Sequence, residues 1–329
     1  MAAGDWRTLS VLIAGCGSIG KRHSRVLSSI GIRDIRICDP LEQQRKALIE
    51  QGPAFRQYAD YEEALAAKPD AVLICTPPDL HIPMAIRALR SGAHVLCEKP
   101  LSSSLQGVDE LAAVIESTGR TFMVAFCFRY HEGLVRAKAH LESGRVGRLV
   151  AIRCRMSENL PEVRPDYQGL FTLKQGGAFD LTHEVDLACW FAKGAVTEVR
   201  SIHGACSDIG FTAPDVVELV LRFENRCIAG VHLDFFSFPR TRLTELMGTK
   251  GTISVEFASW EKCVVSVFEA IAGKWEHEEL ATERDFMFRN EDAEFLEAAC
   301  AGTAVGIPLS EARKSLEIIC AAQTGRSGF

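Results

Sequence analysis

Ser10-Val11-Leu12-Ile13-Ala14-Gly15-Cys16-Gly17-Ser18-Ile19-Gly20 decides how the rest of the chain is read. Ser10 to Ala14 is an apolar, β-prone run. It leads into a GxGxxG turn, and a helical pattern follows over Lys21 to Ile30. Gly15 permits the tight turn, and Gly17 lets the backbone approach a pyrophosphate. Gly20 lets the helix pack close to the sheet, and the first helical turn, with Ser18 and Ile19, attracts the phosphates. Asp39 lies 19 positions beyond Gly20, at the end of the next strand-like run. A carboxylate there accepts both ribose hydroxyls and repels a 2′-phosphate. The reading is an NAD site. Arg45 and Lys46 keep NADP possible.

The same alternation continues outward. Strands are expected over Asp34–Cys38, Ala71–Cys75, His94–Cys97 and Thr121–Ala125. Helices are expected over Leu41–Glu50, Ile82–Ser91 and Leu105–Ser117. Continuous apolar strands separated by helices predict a doubly wound parallel sheet covered on both faces. After about residue 130 the pattern changes. A helix over Glu132–Ser143 precedes a strand over Leu149–Met156, a polar loop over Ser157–Lys174 and a helix over Asp180–Phe191. Strand-like runs then dominate to about Leu280, and two helices close the chain, over Arg289–Ala301 and Ser310–Gln323. The fold class is therefore α/β. A Rossmann domain over 1–126 is followed by an α+β domain over 127–329 with a large mixed or antiparallel open sheet. The C-terminal helices are able to pack back on the first domain. The strand runs keep apolar residues on both faces, as in Val231-His232-Leu233-Asp234-Phe235-Phe236. That pattern predicts a homodimer or homotetramer formed through the sheet.

Composition excludes several classes. The net charge is −6 over 329 residues, which argues against a broad nucleic-acid or anionic-membrane surface. No apolar run approaches the ~20 residues of a membrane helix. The N-terminus lacks the pattern of a secretory signal. The twelve cysteines contain no CxxC pair, and most sit in apolar stretches. They read as reduced core residues of a cytoplasmic protein. His183-Glu184-Val185-Asp186-Leu187 lacks the second histidine of a zinc-protease helix, so no metal site is expected.

Three further motifs carry a resemblance: Cys75-Thr76-Pro77-Pro78-Asp79-Leu80-His81, Glu98-Lys99-Pro100, and Gly176-Gly177-Ala178-Phe179-Asp180-Leu181-Thr182-His183-Glu184-Val185-Asp186. With the glycine loop they resemble the Gfo/Idh/MocA oxidoreductases, the family of glucose-fructose oxidoreductase and inositol dehydrogenase. The resemblance spans nearly the whole chain. It implies a Rossmann domain, an α/β domain whose open sheet often forms an oligomer interface, and a sugar, polyol or sugar derivative as substrate. It also implies a lysine and a histidine at the nicotinamide. Lys99 matches that lysine, His183 the catalytic histidine and Asp180 the acidic residue of the second-domain helix. Thr76, Pro78, His81, Glu98 and Arg129 match cofactor-side positions. Many members place the aspartate four residues before the histidine. Here the spacing is three, which leaves Asp186 as a second candidate for its role.

These residue types suit hydride chemistry at a carbinol carbon. The imidazole of His183 moves the hydroxyl proton near neutrality. The ammonium of Lys99 stabilises alkoxide charge, and a carboxylate three residues away on a helix orients the ring. Arg164 and Tyr167, in the polar loop, are candidates to bind substrate together with Lys99, Asp180 and His183. No sequence feature separates net redox from redox-assisted glycoside hydrolysis. A non-catalytic NAD(P)-binding regulator is a third reading, against which the retention of both Lys99 and His183 weighs.

Overall fold

The computed structural model describes residues 5–50, 55–165, 176–210 and 212–325. The chain forms two compact units. The first takes in the chain to Cys127 and returns for Asp285–Leu316; the second holds Phe128–Arg284 and the chain from Glu317.

The first unit is built on a six-stranded sheet. Its strands are β1 (Ser10–Ala14), β2 (Asp34–Cys38), β3 (Arg56–Tyr58), β4 (Ala71–Ile74), β5 (His94–Glu98) and β6 (Phe122–Ala125). Their order is β3-β2-β1-β4-β5-β6, and every neighbouring pair is parallel. Val11, Leu12 and Ile13 have no exposed surface, as expected of a strand covered on both faces. Helices α1 (Ser18–Ser29), α2 (Glu42–Ile49), α3 (Tyr61–Ala66), α4 (Pro78–Ser91) and α5 (Val108–Thr118) make the crossovers. The strand order reverses between β1 and β4, where a doubly wound sheet opens its ligand crevice at the carboxyl ends. Helix α9 (Arg284–Ala301) and the segment after it complete this unit. The Ile307 carbonyl accepts the N–H of Val124 in β6 at 3.1 Å.

The second unit carries an eight-stranded sheet, with β7 (Leu149–Asn159), β8 (Val196–Gly204), β9 (Val216–Phe223), β10 (Ile228–Asp234), β11 (Phe236–Gly248), β12 (Gly251–Glu256), β13 (Lys262–Glu269) and β14 (Lys274–Ala281). The order is β14-β13-β12-β11-β7-β10-β9-β8. Only the β7–β10 pair is parallel, so the sheet is mixed. Helices α6 (Glu132–Glu142) and α8 (His183–Ala192) pack on it. In β9, Val217, Leu219, Leu221 and Phe223 are buried on one face, while Glu218, Val220 and Arg222 are exposed on the other. That second face is less apolar than the sequence pattern implies. Ile202, Val220 and Ile228 are scattered among Arg153, Arg155, Glu198, Arg200, Glu218 and Arg222.

Local differences have plain causes. β3 and α3 escape the sequence reading because Arg56-Gln57-Tyr58 is short and largely exposed. The segment read as a loop from Ser157 continues β7 to Asn159, then makes the single helical turn α7 (Leu160–Val163). Tyr167 lies outside the described residues. β11 bulges: Phe236 pairs with Asn159 and Thr241 with Ser157, so Ser237–Arg240 oppose Glu158 alone. Among the described residues no helix is long and apolar enough to cross a membrane, and no disulfide forms.

Candidate active site

The glycine loop closes the carboxyl end of β1. Gly15 adopts φ +99°, and a Cβ there would stand 2.5 Å from the Cys75 carbonyl oxygen. A Cβ on Gly20 would stand 2.0 Å from the Gly15 oxygen. Both positions therefore exclude any side chain, the first by conformation and the second by space. At Gly17 a Cβ would meet nothing within 4 Å, so the backbone there faces open space. Helix α1 starts at Ser18, a turn earlier than its sequence pattern implies, with Gly17 as N-cap. The first intrahelical bond runs from Lys21 N–H to the Gly17 carbonyl at 2.9 Å. The N–H groups of Ser18, Ile19 and Gly20 precede it and suit an anion.

Asp39, after β2, is fixed from two sides. Its carboxylate accepts the N–H of Cys16 at 2.9 Å and that of Leu41 at 2.9 Å. The first bond ties Asp39 to the glycine loop itself. Arg45 donates to the Asp39 carbonyl, and Lys46 pairs with Glu42 at 2.8 Å. Both cations thus have local acceptors. Open space at Gly17, the amide-rich helix start and this carboxylate fit NAD.

The other first-unit candidates gather at the ends of β4 and β5. Pro78 opens α4, and Thr76 lies half-buried before it. His81 is 1% exposed; its Nε2 faces the Thr76 carbonyl and its Nδ1 the Pro100 carbonyl, each at 2.8 Å. Burial lowers its pKa against the pull of those two acceptors. His81 thus stands between the Thr76 backbone after β4 and the Lys99-Pro100 backbone after β5. Glu98 accepts the Lys99 N–H at 3.0 Å and faces the Nε2 of His23 at 3.1 Å. Lys99 itself is half-buried.

In the second unit His183 opens α8, with Thr182 at the N-cap. Its ring stacks on Phe128, centroids 4.0 Å apart and planes 16° from parallel. Asp180 does not share that helix. It ends a 3-10 turn over Gly177–Asp180, and its Oδ1 accepts the Gly176 N–H at 3.3 Å. The expectation that Asp180 sits one helical turn before His183 is therefore corrected, because Leu181 and Thr182 break the helix between them. Asp186, three residues into α8, does share the His183 face, but its carboxylate binds Arg129. The guanidinium donates at 2.8 and 2.7 Å, and both side chains are almost fully buried. Arg129 is thereby anchored to α8. Arg164 is exposed at the end of α7. His232, outside the site, bridges Asp234 at 2.8 Å and Glu218 on the open sheet face.

Sequence reasoning passed over a cluster beside His183. Arg242 lies 4.9 Å over Phe128 and 4.5 Å over Trp260, and Arg240 lies 5.1 Å over Trp260. Glu158 faces both arginines, at 3.3 and 3.9 Å. Burial, then Arg240, pushes the Arg242 guanidinium down to about 10, so it stays charged at neutral pH. His131 packs on Phe257, and burial, then Arg242, pulls its imidazole to about 4, which keeps it neutral. The signal missed was two arginines, Arg240 and Arg242, at alternate positions on one strand.

Comparison with known proteins agrees with this geometry. Residues 9–126 match the model described as an oxidoreductase family with an NAD-binding Rossmann fold. Residues 134–254 match the GFO/IDH/MocA C-terminal domain. An uncharacterized oxidoreductase of Bacillus subtilis is 28% identical over 256 residues, 74% of this chain and 72% of its own. The inositol 2-dehydrogenase of Pseudomonas savastanoi pv. phaseolicola is 30% identical over 200 residues, 59% of this chain and 57% of its own. The crystal structure of myo-inositol 2-dehydrogenase from Lactobacillus plantarum superposes with a TM-score of 0.83 at 23% identity, covering 97% of each chain.

Proposed function

This chain belongs to the Gfo/Idh/MocA family of NAD-binding oxidoreductases, and from that premise we propose that it is a dehydrogenase of a sugar, polyol or sugar derivative. The observation that carries the reading is the glycine loop whose Cys16 amide holds the Asp39 carboxylate. Bound NAD supplies the hydride acceptor or donor. The chain's own residues do the rest. The loop and the start of α1 bind the pyrophosphate, and Asp39 takes the ribose hydroxyls. His183 moves the hydroxyl proton, its ring held flat against Phe128. Lys99 lends positive charge to the substrate oxygen, on a backbone braced by Glu98 and His81. The test is NAD⁺ reduction against a panel of inositols, aldoses and their acids. Absence of turnover across the panel, with intact NADH binding, counts against a dehydrogenase.

Cofactor choice is the first expected result. NADH binds more tightly than NADPH to the parent. Asp39→Ser narrows the gap by about tenfold or more, because the ribose acceptor and the repulsion of a 2′-phosphate go together. Calorimetry on both proteins with both cofactors checks this. Tighter NADPH binding by the parent overturns it.

Ile202, Val220 and Ile228, exposed on the otherwise polar open face of the second sheet, support a homodimer or homotetramer that covers them. Sedimentation at micromolar concentration should show the assembly; a monomer there removes this part of the reading. The buried cysteines support a reducing, cytoplasmic setting.

A further inference from the structure

The first unit buries a set of charged groups that cofactor binding alone does not require. His23 lies on α1, beyond the glycine loop, and is 1% exposed. Its Nδ1 stands 2.9 Å from a carboxylate oxygen of Asp292, on α9, which is fully buried. Its Nε2 stands 3.1 Å from Glu98 Oε1. The other oxygen of Glu98 accepts the Lys99 N–H. Glu291 lies fully buried beside this set. Burial, then the charges of Glu98 and Asp292, raises the Glu291 pKa well above the ordinary carboxyl value. Burial opposes charge on His23, but Asp292 and Glu98 outweigh it and raise the imidazole's pKa well above its ordinary value. Both ring nitrogens of His23 thus face carboxylate oxygens.

Such a set is a poor way to gain stability, because buried ion pairs are often matched by apolar residues of similar volume. Its geometry is specific, however. It runs from the helix that begins at the phosphate loop, through one imidazole ring, to the carboxylate gripping the lysine's own amide. We propose that His23 is a positioning residue for Lys99: through Glu98 it sets the Lys99 backbone against the cofactor-binding helix, with Asp292 fixing the ring from behind. The inference rests on the reading of Lys99 as the group that acts on the substrate oxygen.

Two full-length variants separate the two sides of the ring. The amide nitrogen introduced by His23→Gln falls near Nε2 and can still donate to Glu98. That of His23→Asn falls near Nδ1 and can reach only Asp292. Three quantities are measured: acetylation of Lys99 by acetic anhydride, read by mass spectrometry with and without NADH; the NADH Kd; and kcat and KM with the best substrate of the panel. His23→Asn should alter Lys99 acetylation several-fold and lower kcat about tenfold, with KM and NADH Kd within about twofold. His23→Gln should stay close to the parent in all of them. Where a His23 variant fails to fold, Glu98→Gln should reproduce the altered Lys99 acetylation, since it puts an amide opposite His23 or the Lys99 N–H. Equal behaviour of the two His23 variants, or losses that follow Tm alone, makes His23 a packing residue and overturns the proposal. Parent-like acetylation in Glu98→Gln does the same. Normal turnover by Lys99→Ala would remove the role given to Lys99, while the acetylation contrast still decides whether His23 positions it.

Discussion

His183→Ala should lower kcat by about 10²- to 10⁴-fold while the NADH Kd changes by less than about twofold. The proton must leave or join the substrate oxygen as hydride moves, and no water replaces an imidazole held at a fixed tilt. The ring is fixed by its stack on Phe128, which Arg242 covers in turn. His183→Ala removes the proton carrier and leaves the glycine loop and Asp39, in the other unit, untouched. Lys99→Ala should also lower kcat strongly, with some loss of NADH affinity. Steady-state kinetics beside cofactor titrations check both. A near-normal kcat for His183→Ala removes the histidine from the mechanism.

The second large effect is on stability. Asp186→Ala deletes the carboxylate that receives two donors from the almost fully buried Arg129. Removing one partner of such a pair costs about 3–5 kcal/mol, because the remaining charge stays out of water. A kilocalorie shifts Tm by about 2–4 °C in a protein of 150–250 residues, so the drop should be on the order of 10 °C. Replacing both partners by apolar residues, Arg129→Met with Asp186→Leu, should recover most of it. Calorimetric scans of the parent, Arg129→Met, Asp186→Leu and the double variant close the cycle. A Tm for Asp186→Ala within about 2 °C of the parent would show that the pair contributes little.

The Rossmann sheet was legible because each strand is a continuous apolar run and each glycine of the loop has one physical reason to be there. Beyond the short, exposed β3, most of what was not legible is polar residues placed by tertiary structure. His23, Glu291 and Asp292 sit inside helical patterns where a charge ordinarily marks the solvent face, yet all three are buried. Met287, Phe288, Phe295 and Leu296 flank Glu291-Asp292 on the same helix, a conflict of phase that was the available hint. Asp180 was placed on the helix of His183 because Asp-Leu-Thr-His has helical spacing. Nothing in the composition of Leu181-Thr182 announces the break. Arg240 lies at the end of a bulge between Phe236 and Thr241, and Arg242 just past it; the strand-like pattern of this region does not reveal that bulge.

The return of Asp285–Leu316 to the first unit has a consequence for synthesis. The partners that meet at His23 are separated by 194 positions between Glu98 and Asp292. At a translation rate of about 5–20 residues per second, the nascent Rossmann sheet waits roughly ten to forty seconds for them. During that interval His23 and Glu98 lack the carboxylate of Asp292, and β6 lacks the Ile307 carbonyl. The domain that begins first on the ribosome thus stays incomplete until its return segment Asp285–Leu316 has been made, and a fragment ending at Cys127 should behave as an incomplete, aggregation-prone intermediate rather than an autonomous nucleotide-binding module.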